Sequence, residues 1–220
     1  MRSLVKRRLI PALVLFALFV LFSSSLRFVD VQAIGPLDSC VGYGGLNKAF
    51  HEFFGVHMAL YVISDWAGVA AIALAFCFAV VGLVQWLKRK SIKKVDQRIL
   101  ALGGFYILVF AAYAFFEFCV VNYRPVLING ILEASYPSST TMLALCVFPS
   151  AMMIFHRIIG RVKTRFFINF LCLLLTVFML ILRILSGVHW ITDIFGGILF
   201  SVSALLLLSF ALNTISRNKE

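Results

Sequence analysis

Charge is scarce in this sequence. Of its 220 residues only 13% are Asp, Glu, Lys or Arg, and just nine are acidic. The hydrophobic share is 62% and the mean hydropathy +1.02, so a soluble domain would lack the polar residues to cover its own surface. No polar stretch is long enough to form a soluble domain, and no repeat or low-complexity linker interrupts the chain. The five cysteines, Cys40, Cys77, Cys119, Cys146 and Cys172, stand singly, without the paired spacing of a zinc site or a disulfide framework. They read as apolar packing residues, with Cys40 a free thiol in a loop. No metal and no cofactor is expected.

What the chain does have is long apolar runs. A hydrocarbon core of about 30 Å needs about 20 apolar residues in a helix. Six segments meet that need, near 9–26, 66–87, 99–121, 138–156, 166–183 and 190–214. The expectation is an all-α, polytopic membrane bundle of about six transmembrane helices, forming one domain over residues 1–220. The first run follows Arg2, Lys6, Arg7 and Arg8 and precedes Val31-Gln-Ala33, so it also resembles a cleaved signal peptide. Its 18 uncharged residues exceed a usual signal core, and an even number of spans requires that it be retained.

A net charge of +11 would point to nucleic acid in a soluble protein, but its distribution points elsewhere. Arg2 to Arg8 precede the first span. Lys88, Arg89, Lys90, Lys93, Lys94 and Arg98 lie between the second and third, and Arg157, Arg161, Lys163 and Arg165 between the fourth and fifth. Arg217 and Lys219 end the chain. These sixteen of the twenty basic residues share one face of a six-span arrangement, which the positive-inside rule makes cytoplasmic. Both termini are then cytoplasmic, the protein sits in the plasma membrane, and neither nucleic acid nor an obligate protein partner is called for.

The extracytoplasmic parts under this topology are residues 27–65, 122–133 and 186–190. In the first, apolar residues recur at helical spacing after a Gly-rich loop, which predicts an interfacial helix near 46–62 carrying His51 and His57. Those histidines read either as solvated groups on a membrane anchor or as part of a lid over a lipid head group.

Ionisable residues at membrane depth are costly and mark function. Three clusters meet on the extracytoplasmic face: Glu117 to Arg124-Pro125; Pro137-Ser138-Ser139-Thr140; and Arg183 to His189 and Asp193. Arg124 and Arg183 offer planar forks to phosphate oxygens, and Ser138 and Ser139 stand where a helix begins with free N–H groups. His189 and Asp193, four apart, fall on one helix face, where a carboxylate can orient an imidazole for attack on phosphorus.

These motifs resemble the type 2 phosphatidic acid phosphatase superfamily, related to vanadium haloperoxidases. Its pattern is Lys-x6-Arg-Pro, Pro-Ser-Gly-His and Ser-Arg-x5-His-x3-Asp. The chain reads Glu117-x6-Arg124-Pro125, Pro137-Ser138-Ser139-Thr140 and Leu182-Arg183-x5-His189-x3-Asp193. The resemblance covers roughly residues 117–197. It implies a membrane lipid-phosphate phosphatase: His189 the nucleophile forming a phosphohistidine, Asp193 its orienting partner, Arg124, Ser138, Ser139 and Arg183 the phosphate ligands. A membrane lipid phosphate would be the substrate, phosphatidic acid-like or undecaprenyl diphosphate-like.

Three positions depart from the pattern. Leu182 for Ser removes one hydrogen-bonding group. Glu117 for Lys replaces a cation; lying two helical turns before Arg124, it would brace that arginine or be held neutral by burial. Thr140 stands at the catalytic position where the family has the histidine that protonates the leaving group. A diphosphate, with its better leaving group, would tolerate this loss, or His57 or His51 would stand in. The alternative is a catalytically impaired member that binds or senses lipid phosphates.

Overall fold

The computed structural model describes residues 9–217. Arg2, Lys6, Arg7, Arg8 and Lys219, on which the expected orientation partly rests, lie outside the described residues. The described residues form seven α-helices: α1 (Ile10–Ser25), α2 (Gly44–Phe54), α3 (Met58–Arg89), α4 (Gln97–Phe118), α5 (Ser139–Ile158), α6 (Val162–Ser186) and α7 (Ile191–Arg217). Five of them, α3 to α7, are long and apolar enough to cross a membrane. α1 is equally apolar but has 16 residues, roughly 24 Å of helix. Between α1 and α2 runs a two-stranded antiparallel hairpin, β1 (Gln32–Ala33) with β2 (Cys40–Val41).

α5 and α7 form the centre. In their apolar windows 50% of residues are buried, against 17% in α3 and α4, and α5 is the least apolar of the five spans. The two facts share a cause. A helix surrounded by other helices can carry Ser, Thr and Cys, whereas one facing lipid must be apolar outward. α6 accordingly exposes Phe166, Phe167 and Phe170. An aromatic cluster ties α1, α4 and α7 together: the Phe19 ring meets those of Phe116 at 5.8 Å and Phe200 at 5.5 Å, both edge-on. Tyr136 is buried against the same cluster, and its hydroxyl lies 2.6 Å from Ser23 Oγ. Burying such a ring stabilises by roughly 2 kcal/mol, and here it fixes the start of the Pro137–Thr140 segment.

The interfacial helix is shorter than its sequence pattern indicates. Gly55, at φ +67°, ends α2 at Phe54. Residues from Met58 onward belong instead to α3, which begins eight residues before the expected span at 66 and runs for 32 residues. Apolar periodicity continues across residues 46–62, so only the glycine marks the break. α4 likewise stops at Phe118 rather than 121, because Cys119 (φ −98°, ψ 68°) leaves helical geometry.

At one end of the bundle Arg98 donates to the Arg157 carbonyl (3.2 Å) and Arg157 to Asn213 (2.9 Å), which gathers the basic loops. The three motif clusters lie together at the other.

Candidate active site

The turn between α6 and α7 carries His189. Gly187 ends α6 in the left-handed conformation (φ +65°), and a Cβ there would overlap the carbonyl of Gly55. The backbone N–H of His57 donates to Ser186 O (2.9 Å), so the α2–α3 break is docked on this turn. Gly187→Ala therefore meets both backbone strain and a clash. The expected cost is about 2 kcal/mol, or roughly 4–8 °C in the unfolding midpoint of purified protein. An unchanged midpoint would contradict the tight approach.

α7 then begins with two caps. Asp193, in the third helical position, accepts from Trp190 N–H (2.9 Å), the reciprocal half of a capping box. From α2, fully buried Asn47 accepts from Thr192 N–H (3.3 Å) and donates to Thr192 Oγ1 (3.0 Å). The helix that presents Asp193 is thus held by an element 145 residues away.

Around His189 the proton positions follow from the donors. A guanidinium only donates, and Arg124 Nη1 lies 3.3 Å from His189 Nε2, so Nε2 carries the lone pair. The ring proton is on Nδ1. That atom lies 3.6 Å from Asp193 Oδ2, too far for a hydrogen bond, but 3.2 Å from Ser135 Oγ. The Ser135 hydroxyl donates to Asp193 Oδ2 and so accepts from Nδ1, bridging the histidine to its carboxylate. Asn122 Nδ2 approaches Asp193 Oδ1 at 3.4 Å. Burial first, then the charges of Arg183 and Arg124, hold the His189 imidazole well below the usual histidine range.

The arginines are anchored on opposite sides. Arg183, 2% exposed, donates from Nη2 to Thr140 Oγ1 (2.6 Å) and from Nη1 to Ser64 Oγ (3.0 Å) and Asp65 Oδ1 (3.1 Å). Arg124 Nε lies 3.0 Å from Glu133 Oε2. Both guanidinium groups sit over the ring of Tyr61, at 5.0 Å for Arg183 and 5.8 Å for Arg124.

A cavity of about 240 Å³ opens on this centre, lined by Tyr113, Glu117, Arg124, Glu133, Ser135, Ser139 and His189 among others. The structure thus brings His189, Asp193, Arg124, Arg183, Ser139 and Thr140 together. Three residues behave differently from expectation. Ser138 is wholly buried, its N–H given to Asp193 O (3.0 Å) and its hydroxyl accepting from Thr141 (3.0 Å), which leaves Ser139 to face the cavity. Glu117 does not brace Arg124; α4 has ended before Arg124, and Glu133 takes that role. His57 is exposed, with Nε2 on the Phe54 carbonyl (2.9 Å), rather than in the cavity. His51 comes closer: its ring meets Trp190 at 5.4 Å, and it lines a small recess shared with His189.

Ser135, Asn122, Tyr61, Ser64, Asp65 and Glu133 were not among the residues the sequence singled out. The spacing of Tyr61 and Asp65, one helical turn apart, was the only local signal for α3. Among the described residues no group of three or more His, Cys, Asp or Glu is placed to hold a metal.

Similarities to known proteins agree with this arrangement. The crystal structure of the first transmembrane PAP2 type phosphatidylglycerolphosphate phosphatase from Bacillus subtilis superposes with a TM-score of 0.58 at 18% identity, covering 90% of this chain and 94% of that one. The fold is therefore that of a transmembrane PAP2 phosphatase, and the protein is a multi-pass membrane protein. No curated protein matches the chain. The PAP2 superfamily pattern matches residues 107–217, the half that runs from α4 through the histidine turn to the end of α7, and the chain belongs to that superfamily.

Proposed function

We propose that this protein is a membrane lipid-phosphate phosphatase that hydrolyses a phosphate monoester or diphosphate through a phosphohistidine on His189. One observation carries the reading: a neutral, buried imidazole whose Nε2 lone pair borders a cavity beside two fixed arginines. A pure binder of phosphate needs the arginines but not an oriented nucleophile.

In this reading the phosphoryl oxygens are held by Arg124, Arg183 and the unpaired first-turn N–H groups of α5, at Ser139 to Thr141. Arg124 exchanges its contact with Nε2 for one with the phosphate. Nε2 then attacks phosphorus, and the bond to the lipid oxygen breaks. As positive charge develops on the ring, Nδ1–H is stabilised through Ser135 by the Asp193 carboxylate. Water attacks the phosphohistidine in the second step and releases inorganic phosphate.

Thr140 acts through Arg183, whose donor its hydroxyl accepts, and not as a proton donor to the leaving group. A leaving group stable as an anion, such as the lipid phosphate released from a diphosphate, suits a site built this way. Lipid access is supported by an apolar groove of about 460 Å³ between α3, α4 and α5. Ile72, Val109, Phe110 and Leu143 line it, and it meets the polar cavity at Tyr113 and Ser139. The clustering of basic residues in the loops at the opposite end of the bundle supports a site on the extracytoplasmic side of the membrane.

Phosphate release by detergent-purified protein from phosphatidic acid, phosphatidylglycerol phosphate and undecaprenyl diphosphate tests the proposal. Faster turnover of the diphosphate is expected. Binding of these lipids with no release from any of them would favour the catalytically impaired, lipid-phosphate-sensing alternative.

A further inference from the structure

The opening two turns of α3 lie outside the PAP2 match, yet Tyr61, Ser64 and Asp65 there contact the arginine pair. We infer that Tyr61 is a positioning residue whose ring sets the placement of Arg124 and Arg183 and so shapes the phosphate site. The inference rests on reading those arginines as phosphate ligands.

Two guanidinium groups gathered over one ring repel each other, and something must offset that repulsion while no substrate is bound. A carboxylate between them would do so, but it would also occupy the N–H donors that phosphate needs. An aromatic face attracts both cations through its quadrupole without itself taking up an N–H donor. Tyr61 provides such a face, at 5.0 and 5.8 Å from the two Cζ atoms. Each carboxylate engages one arginine only. Asp65, one turn further along α3, holds Nη1 of Arg183, and Glu133 holds Nε of Arg124. Arg183 is thereby tied to α3 and α5 at once, and Arg124 is aligned with it through the shared ring.

Full-length Tyr61→Phe, Tyr61→Leu and Tyr61→Met proteins test this, with orthovanadate as the probe of the anion site. Calorimetry gives its affinity, and steady-state kinetics on a lipid phosphate give kcat and KM. Tyr61→Phe is expected to stay within about threefold of the parent. Leu and Met, which fill the space without a π face, should weaken vanadate by about 30-fold, with kcat falling more than KM rises. That factor corresponds to about 2 kcal/mol, two cation–π contacts of ordinary strength. Equal vanadate affinity in all variants would overturn the inference. So would a Phe variant as weak as Leu, which would make the hydroxyl the active element, or unfolding of both aliphatic variants, which would make the ring structural. A parent protein that binds vanadate but hydrolyses no lipid phosphate would sink the phosphatase reading alone, and the Tyr61 series would still be read by binding.

Discussion

His189→Asn is expected to reduce phosphate release by on the order of 10⁴-fold while leaving the fold and substrate binding largely intact. The asparagine amide can approach Ser135 as Nδ1 does, so the buried network keeps a partner, but no lone pair faces phosphorus. Residual turnover within tenfold of the parent protein would exclude a phosphohistidine on this residue. The electrostatics add a pH signature. Burial and the two arginines disfavour the protonated ring, so the neutral, nucleophilic form persists below the ordinary histidine value of 6.5. The acid limb of kcat/KM that belongs to His189 is therefore expected below pH 6.5, and a limb at or above that value would contradict the burial argument. The sign for stability is the same. The unfolded chain binds this proton more readily than the folded one, so the folded state loses stability as pH falls below about 6.5.

Arg183→Lys is expected to lower kcat/KM by about 10²- to 10³-fold, the scale on which a fixed donor to a developing anion acts. Charge is retained in this variant, but geometry is lost. Arg183 spans from Ser64 and Asp65 on α3 to Thr140 on α5, and a single ammonium cannot reach both helices and a phosphate as a planar fork does. Thr140→Val provides the contrast. It removes one hydrogen bond to a charged group, worth about 2 kcal/mol, and should cost roughly 30-fold at most if Thr140 only steadies Arg183. Steady-state kinetics on one lipid phosphate distinguish the two. A lysine variant within tenfold of the parent would mean that charge alone serves at this position.

The membrane helices were legible because lipid imposes a simple rule on composition, and runs of some 20 apolar residues have few other uses. Their ends were less so. The break at Gly55 interrupts an apolar pattern that reads as continuous, and α4 stops before Arg124 for reasons that only the packed loop 119–138 supplies. The site divides in the same way. Arg183, His189 and Asp193 share one turn and its flanks, so spacing alone groups them. Tyr61 and Ser64 reach Arg183 across about 120 positions of chain, and Ser135 is one hydroxyl in a polar loop until tertiary structure sets it between His189 and Asp193. Glu117 illustrates the hazard of extrapolating a helix: its bracing role assumed two further turns of α4 that do not exist, and Glu133 from across the loop holds the arginine instead.

The contact between Asn47 and Thr192 carries a consequence for biogenesis. The α7 start that presents Asp193 is capped by a residue made 145 positions earlier, and the histidine turn is seated on the α2–α3 break. Such distant pairings form late, after the cost of closing a long loop has been met. During synthesis the phosphate site therefore cannot assemble until the last helix has left the ribosome and entered the bilayer. A nascent chain halted after α6 would carry both arginines without His189 and Asp193, so the site is complete only once the last helix is in place.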